Sequence, residues 1–405
     1  MISGENEIMR REDSQLADLN SLSFKIIENA EEIKSLKDFW VNNQWQHYTD
    51  FDYYINIVTH EKGVLKPYII VVLENQKPIF LLIGNILERD FKLKFGYKSI
   101  LRSKVQLLEI MYGGVLGNQS MAVCRETVSF LKKILSEEKI DYVFFKQLDI
   151  TSNLYKAVKE FGGKLFISRL DLPNPHIYLD IPDSYEKFLE TRTRNERHKI
   201  KRYTKRMEEK LHGKVEIKLY KSQEDIDTIM KDTYEIASKT YQSKIGVIMN
   251  DNIDTRRKIQ YELQNKRLLV WIMYIEGKPV AYSLGILYKK ILLGSYTGYL
   301  QEYRQYGPGS FLTVKMIKYS CDNFLDRFDF GFGDGVDKRK YCSSVNIESN
   351  TYIYSSTLKG LLLNFMGTFN RITLLLYRKL QRRFTIIRGI KRKSRDKLIN
   401  NSIRK

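Results

Sequence analysis

Hydrophobic and polar positions along the chain alternate between a period of two, for strands, and a period near 3.6, for helices. Residues 68–73 and 79–87 are apolar runs separated by Glu74-Asn75-Gln76-Lys77-Pro78, which predicts a hairpin. Residues 105–115 read as a further strand ending at Gly113-Gly114. Over 122–138 the apolar positions Val123, Val128, Leu131, Ile134 and Leu135 share one helical face. Residues 142–145 then read as a buried strand, and 153–161 as a helix stopped by Gly162-Gly163.

The second half repeats this grammar. Residues 268–275 and 280–288 are strands around Glu276-Gly277-Lys278-Pro279, followed by a strand at 291–299, a helix at 311–325 and a short strand at 328–330. Lys77-Pro78 and Gly84 match Lys278-Pro279 and Gly285 at an offset of 201 residues. With the parallel order of elements, that match points to an internal duplication. Between the halves, Ser184 is placed to cap a long helix through about Leu211. Residues 358–384 mix apolar stretches with basic residues.

Composition changes this picture only through charge. A chain of 405 residues suggests two or three domains, and 43% hydrophobic with 29% charged residues is globular. The net charge of +20 prompts a search for an anionic partner. It is concentrated: residues 371–405 carry +12 and residues 191–218 carry +7, leaving a near-neutral body. The N-terminus is rich in charge and lacks the apolar core of a signal peptide, and no apolar run approaches the roughly 18 residues of a membrane span. The expected location is the cytoplasm. The 3 cysteines show no paired spacing, so neither a disulfide framework nor a metal site is expected.

The sharpest local signal is Arg304-Gln305-Tyr306-Gly307-Pro308-Gly309, between a strand and a helix. Two glycines let the backbone approach a ligand closely. The N–H groups of the helix start, Ser310 included, attract a phosphate, and Arg304 can add a bidentate contact. A plain strand-to-helix turn has the same composition.

This loop resembles the pyrophosphate-binding loop of GNAT acyltransferases, which hold acyl-coenzyme A. The wider region resembles the CelD-like acyltransferases of polysaccharide biosynthesis, a branch related to the FemABX aminoacyl transferases. The resemblance rests on the basic helix from Arg194 to Arg206, Gly277-Lys278-Pro279, the Tyr-rich stretch from Tyr296 to Tyr303, Gly307-Pro308-Gly309, and Asp329-Phe330-Gly331 through Lys338. It departs from the branch pattern where Asp337-Lys338 replaces a Tyr-Lys pair, with Tyr341 three residues beyond Lys338 as a substitute, and where Gly307 replaces a serine.

The resemblance implies an α/β fold of tandem GNAT-like domains, each a mixed, mostly antiparallel sheet flanked by helices. The expected segments are a flexible leader at 1–23, a degenerate GNAT-like domain at 24–175, an acyl-CoA-binding GNAT-like domain at 176–357 and a basic amphipathic tail at 358–405. It also implies acyl-CoA, acetyl-CoA foremost, as co-substrate, held by Arg304, Gly307, Gly309 and Ser310. Transfer from a thioester needs a base for the acceptor and a proton for the leaving thiolate. Asp334 is a candidate base or orienting group, or simply a turn residue between glycines. Lys338 contacts an anionic acceptor or a cofactor phosphate, or is solvated. Tyr299 and Tyr303 can protonate the thiolate or serve packing. Arg194 and Arg197 are candidates for an acceptor phosphate, or belong to a solvent-facing helix, as His198 does.

Three functions compete. The first is acyl transfer to an amino or hydroxyl group of a small-molecule or lipid-linked sugar. The second is a FemABX-type transferase using aminoacyl-tRNA on a peptidoglycan precursor, against which the helix at 184–211 is short for the coiled-coil arm of many such enzymes. The third is a non-enzymatic nucleic-acid binder, against which the charge is confined to two segments. The basic tail is read as an anionic membrane contact at the inner face of the plasma membrane, an RNA contact or a solubilising tail.

Overall fold

The hairpins form where the alternation predicts them because polar residues accept left-handed turns. Asn75 and Gln76 lie at φ 50° and 65°, Glu276 and Gly277 at 52° and 77°, closing two-residue connections of the type that matches strand twist. The computed structural model of the chain describes residues 22–95, 98–161, 168–210, 214–240 and 252–383. These fall into two units: one runs to Pro173 and includes Ile347–Lys379, and the other is Asn174–Asn346.

The first unit opens with β1 (Leu22–Ile27), α1 (Ala30–Lys34), α2 (Lys37–Asn43) and α3 (Phe51–Asn56). The hairpin strands β2 (Val64–Glu74), β3 (Lys77–Phe95) and β4 (Lys98–Gly117) follow, then α4 (Met121–Glu137), β5 (Tyr142–Asp149), α5 (Asn153–Phe161) and β6 (Ser168–Leu170). Strands β1 to β4 pair antiparallel in order, and β5 returns parallel to β4 after the α4 crossover. All five apolar positions read from the α4 periodicity are buried, in one cluster with Tyr68, Ile70, Phe80 and Leu82. Each buried aliphatic side chain of this kind contributes about 1.5–3 kcal/mol. The β3–β4 hairpin runs well beyond the expected strands. Its outer part, Glu88 to Lys104, alternates charged with apolar residues and reads as polar in sequence.

The second unit contains β7 (Asn174–Asp180), α6 (Tyr185–Glu190), α7 (Arg194–Lys210), β8 (Val215–Tyr220), α8 (Ile226–Ser238) and α9 (Ile253–Gln264). Then come β9 (Leu268–Ile275), β10 (Lys278–Tyr288), β11 (Ile291–Tyr299), α10 (Pro308–Asp322), β12 (Arg327–Phe332) and α11 (Val336–Arg339). The order of the first unit recurs: β8 to β11 pair antiparallel in sequence, α10 crosses over, and β12 returns parallel to β11. The matched glycines recur too. The β3–β4 register shifts between Leu82 and Gly84, and the β10–β11 register between Ser283 and Gly285. A Cβ on Gly84 would lie 2.6 Å from the Glu109 carbonyl oxygen, which excludes a side chain, and one on Gly285 would lie 2.6 Å from the Leu292 side chain.

Two expectations are corrected. The single helix expected from Ser184 is two. Ser184 caps only α6, and Thr191 turns its hydroxyl onto the Phe188 carbonyl at 2.7 Å. Thr193 then starts α7 in a capping box with Glu196, and Leu211 lies outside the described residues. The segment 347–357, expected in the second domain, belongs to the first unit. Here β13 (Ser344–Tyr354) pairs antiparallel with β5, from Glu348 opposite Asp149 to Tyr354 opposite Tyr142. Tyr352 stacks on Phe144 at 4.9 Å, and Ile353 enters the first unit's core. Strand β7, which follows the first copy in sequence, pairs with β12 of the second. The chain then forms α12 (Leu358–Arg383). Of the expected leader only Leu22 and Ser23 are described, in β1, and the tail from 384 onward lies outside the described residues.

Candidate active site

Strands β11 and β12 hold together over three positions, Ile291–Leu293 against Arg327–Asp329. Beyond them β12 pairs only with β7, through Gly331 and Phe332, while β11 continues beside β10 to Tyr299. The two parallel strands therefore part at their carboxyl ends. Ser295, Tyr296 and Thr297 lie exposed on the free stretch of β11.

The chain reaches α10 from the end of β11 through a 3-10 turn, Gln301–Tyr306. Gly307 sits at φ 71°, ψ 46°, a conformation that glycine adopts without a Cβ penalty. Its N–H donates to the Arg304 carbonyl at 3.1 Å. Pro308 at the first helical position supplies the helical φ and is buried. No side chain caps α10, and its first turn holds no acidic residue. The N–H groups of Gly309 and Ser310 stand where a helix has no internal acceptor, at the positive end of its dipole. Tyr299 lies beside them, since a Cβ on Gly309 would be 3.6 Å from its ring. Arg304 is exposed two residues before Tyr306, and Tyr299, Tyr303 and Tyr306 pack on the second unit's core. Burial pushes the Tyr303 phenol above its ordinary range.

A second group gathers at the end of β12. The Lys338 ammonium folds back to donate to the carbonyls of Phe332 at 2.9 Å and Gly331 at 3.2 Å. Burial pulls its pKa below the usual lysine range, against an opposing pull from Asp329. Asp334 is exposed and ion-paired with Arg339, which holds its carboxyl below the usual range and makes it a poor proton acceptor. Tyr341, expected to replace a missing aromatic, is buried in the core near Phe188 and Phe330.

Arg197 is taken up locally: its guanidinium donates to the Arg192 carbonyl at 2.6 Å. Arg194 and His198 are exposed on α7. The structure thus brings Tyr299, Gly307, Gly309 and Ser310 together with Arg304 adjacent, places Lys338 and Asp334 after β12, and gives Arg197 a structural bond.

One buried pair escaped the sequence reading. His176 Nε2 lies 2.7 Å from Asp329 Oδ1, and the same oxygen accepts from the Gly331 N–H at 2.6 Å. The imidazole stacks on Tyr178 with centroids 4.7 Å apart. The pair fixes the backbone at Gly331, whose carbonyl holds Lys338. Asp329 stood in a quoted motif, but nothing local marks His176 as its partner.

Residues 194–339, within the second unit, match a family model described as an acetyltransferase (GNAT) domain. No curated protein matches the sequence. Among solved structures, FemX is 11% identical, with 84% of this chain and 100% of that one covered at a TM-score of 0.57. The C-terminal domain of a protein assigned as lysylphosphatidylglycerol synthetase from Agrobacterium fabrum is 10% identical, covering 84% and 96% at 0.50. A tandem GNAT protein from the clavulanic acid biosynthesis pathway is 10% identical, covering 81% and 98% at 0.47. At these identities the first two likenesses speak for the fold alone. The two units repeat one order of strands and helices, and the stretch that matches the acetyltransferase (GNAT) model lies in the second.

Proposed function

We propose that the second unit moves an acyl group, acetyl foremost, from acyl-CoA to an amino or hydroxyl group of a sugar or polysaccharide intermediate, as the CelD-like resemblance implies. The observation that carries the coenzyme half is the uncapped start of α10 beside the parted ends of β11 and β12. Its N–H groups at Gly309 and Ser310 suit a pyrophosphate, no acidic side chain in the first turn repels one, and Arg304 stands nearby as a cation. The parted strands leave room for an extended thioester arm.

The acceptor atom forms its bond to the thioester carbonyl carbon, the carbon–sulfur bond breaks, and two protons move. In this reading Lys338 takes the acceptor's proton: burial pulls its pKa below the usual lysine range, and its amine must first leave the Gly331 and Phe332 carbonyls. Tyr299, whose ring lies against Gly309, supplies the phenol that in this reading returns a proton to the leaving sulfur. Asp334, held ionised by Arg339, is left outside the proton transfers. The acceptor is assigned by the resemblance alone, a lipid-linked sugar being one form of it.

A second reading has one structural support. The exposed face of α7, with Arg194, Lys199, Lys201 and Arg202, suits a polyanion such as the tRNA of a FemX-type aminoacyl transferase.

Calorimetric titration with acetyl-CoA tests the first reading. Wild type and Gly309→Ala should bind alike, because the added Cβ meets only Tyr299 at an ordinary distance. Gly309→Trp should cover the helix start and lose binding. Absence of binding by folded wild type, together with tRNA binding that weakens log-linearly with salt, would replace the first reading by the second.

A further inference from the structure

Helix α12 presents the wrong chemistry to solvent. One face holds it to the first unit. Leu363 and Met366 are buried there, Leu363 in a cluster with Leu107, Tyr142 and Tyr354. Lys359 pairs with Asp141 at 2.8 Å, and Asn370 donates to the Lys92 carbonyl at 3.1 Å. A helix anchored in this way normally turns a polar face outward. Here the outward positions are Leu358 (85% exposed), Leu362 (53%), Phe365 (68%), Phe369 (36%), Ile372 (50%) and Leu376 (55%). They recur at alternating intervals of four and three residues, a single stripe about 27 Å long at 1.5 Å per residue. Only Lys359 and Arg371 are charged between Leu358 and Leu376.

A contiguous apolar surface of this size marks an interaction site. Two further observations choose the occupant. Among the described residues no helix is long and apolar enough to cross a membrane, so the stripe can lie on a bilayer but not span it. The chain turns strongly basic where the stripe ends, residues 371–405 carrying +12. An apolar stripe continued by dense positive charge is complementary to a surface that offers both acyl chains and anionic headgroups.

We propose that α12 lies in the headgroup region of an anionic bilayer, with Leu358, Leu362, Phe365, Phe369, Ile372 and Leu376 inserted among the acyl chains. This moves the contact from the basic tail alone to a preformed helix face. The tail supplies attraction and the stripe supplies insertion.

Flotation of the full chain with phosphatidylcholine vesicles, with and without phosphatidylglycerol, tests this without reference to acyl transfer. Wild type should float with the anionic vesicles, several-fold less with the neutral ones, and less as salt rises. Leu362→Ser/Phe365→Ser alters only exposed positions, so the melting temperature should fall by no more than a few degrees, the cost of two serines in a helix, while flotation falls at least ~10-fold. Equal flotation of the variant, or none by wild type, overturns the proposal. Sedimentation covers the remaining occupant. A lipid-free wild-type dimer that the double substitution converts to monomer makes the stripe a seam between two copies and also overturns it.

Discussion

Helices α4 and α10 hold the same place in two copies of one topology, each crossing from an antiparallel hairpin to a parallel strand, yet their first turns differ. Ser120 closes α4: its hydroxyl accepts the Val123 N–H at 3.3 Å, and Asn118 takes the Ser120 N–H at 2.9 Å. Gly307 precedes α10 with no side chain to offer. The neighbouring strands differ in the same sense. Past its pairing with β5, β4 is covered by the turn at 46–49, where Thr49 donates to the Gly113 carbonyl at 3.0 Å. The matching stretch of β11 is open. One copy meets a first-turn donor with a side chain of its own, and the other offers no side chain there. Duplicated folds can thus divide labour through a few atoms at a helix cap while keeping the sheet unchanged.

The comparison is broken most severely by Gly309→Trp, whose loss of acetyl-CoA binding is set out above. Next in size, Lys338→Met should lower kcat about 100-fold with little change in KM. The wild-type rate should rise with pH as the Lys338 amine, held below the ordinary lysine range, gives up its proton. The variant should lose that limb, and a variant that keeps it removes Lys338 from the base role. Ser310→Glu gives the first turn of α10 an anion of its own. It should weaken acetyl-CoA about 10-fold by occupying the helix start, while leaving the melting temperature equal or higher.

In the other copy, Ser120→Ala removes a cap and should cost about 1 kcal/mol of stability in a denaturant melt with coenzyme affinity unaltered. A change in affinity would mean that the two helix starts are not independent in role. Smallest of all, Asp334→Asn should change kcat less than about twofold, because surface ion pairs of this kind contribute little. A large loss would return Asp334 to the chemistry.

Much of the fold was legible because its signals are local. Strands β9 and β11 have the bounds that the apolar pattern gives and α5 starts where it is expected, its Gly162-Gly163 stop lying outside the described residues; the duplication shows in Lys-Pro turns and in glycines that both mark bulges. What failed had no local signal. The break at Thr191 goes with a restart in which the Thr193 and Glu196 side chains bond each other's backbone N–H. The outer β3–β4 hairpin is charged and is held by its partner strand. The candidate site was legible as the hexapeptide from Arg304 to Gly309. His176 and Asp329 are 153 positions apart, and only the sheet registers them.

The sequence alone determined the alternation of elements, their repetition, the glycine-rich helix start and the placing of charge in two segments. These follow from periodicity and from backbone preferences that act within a few residues. The tertiary structure decided which of two equivalent helix starts keeps its donors open, which unit receives β13 beyond Asn346, and which face of α12 is left uncovered. Each of those depends on whether a group distant in sequence arrives to satisfy a hydrogen bond or cover an apolar surface, and no window along the chain contains that information.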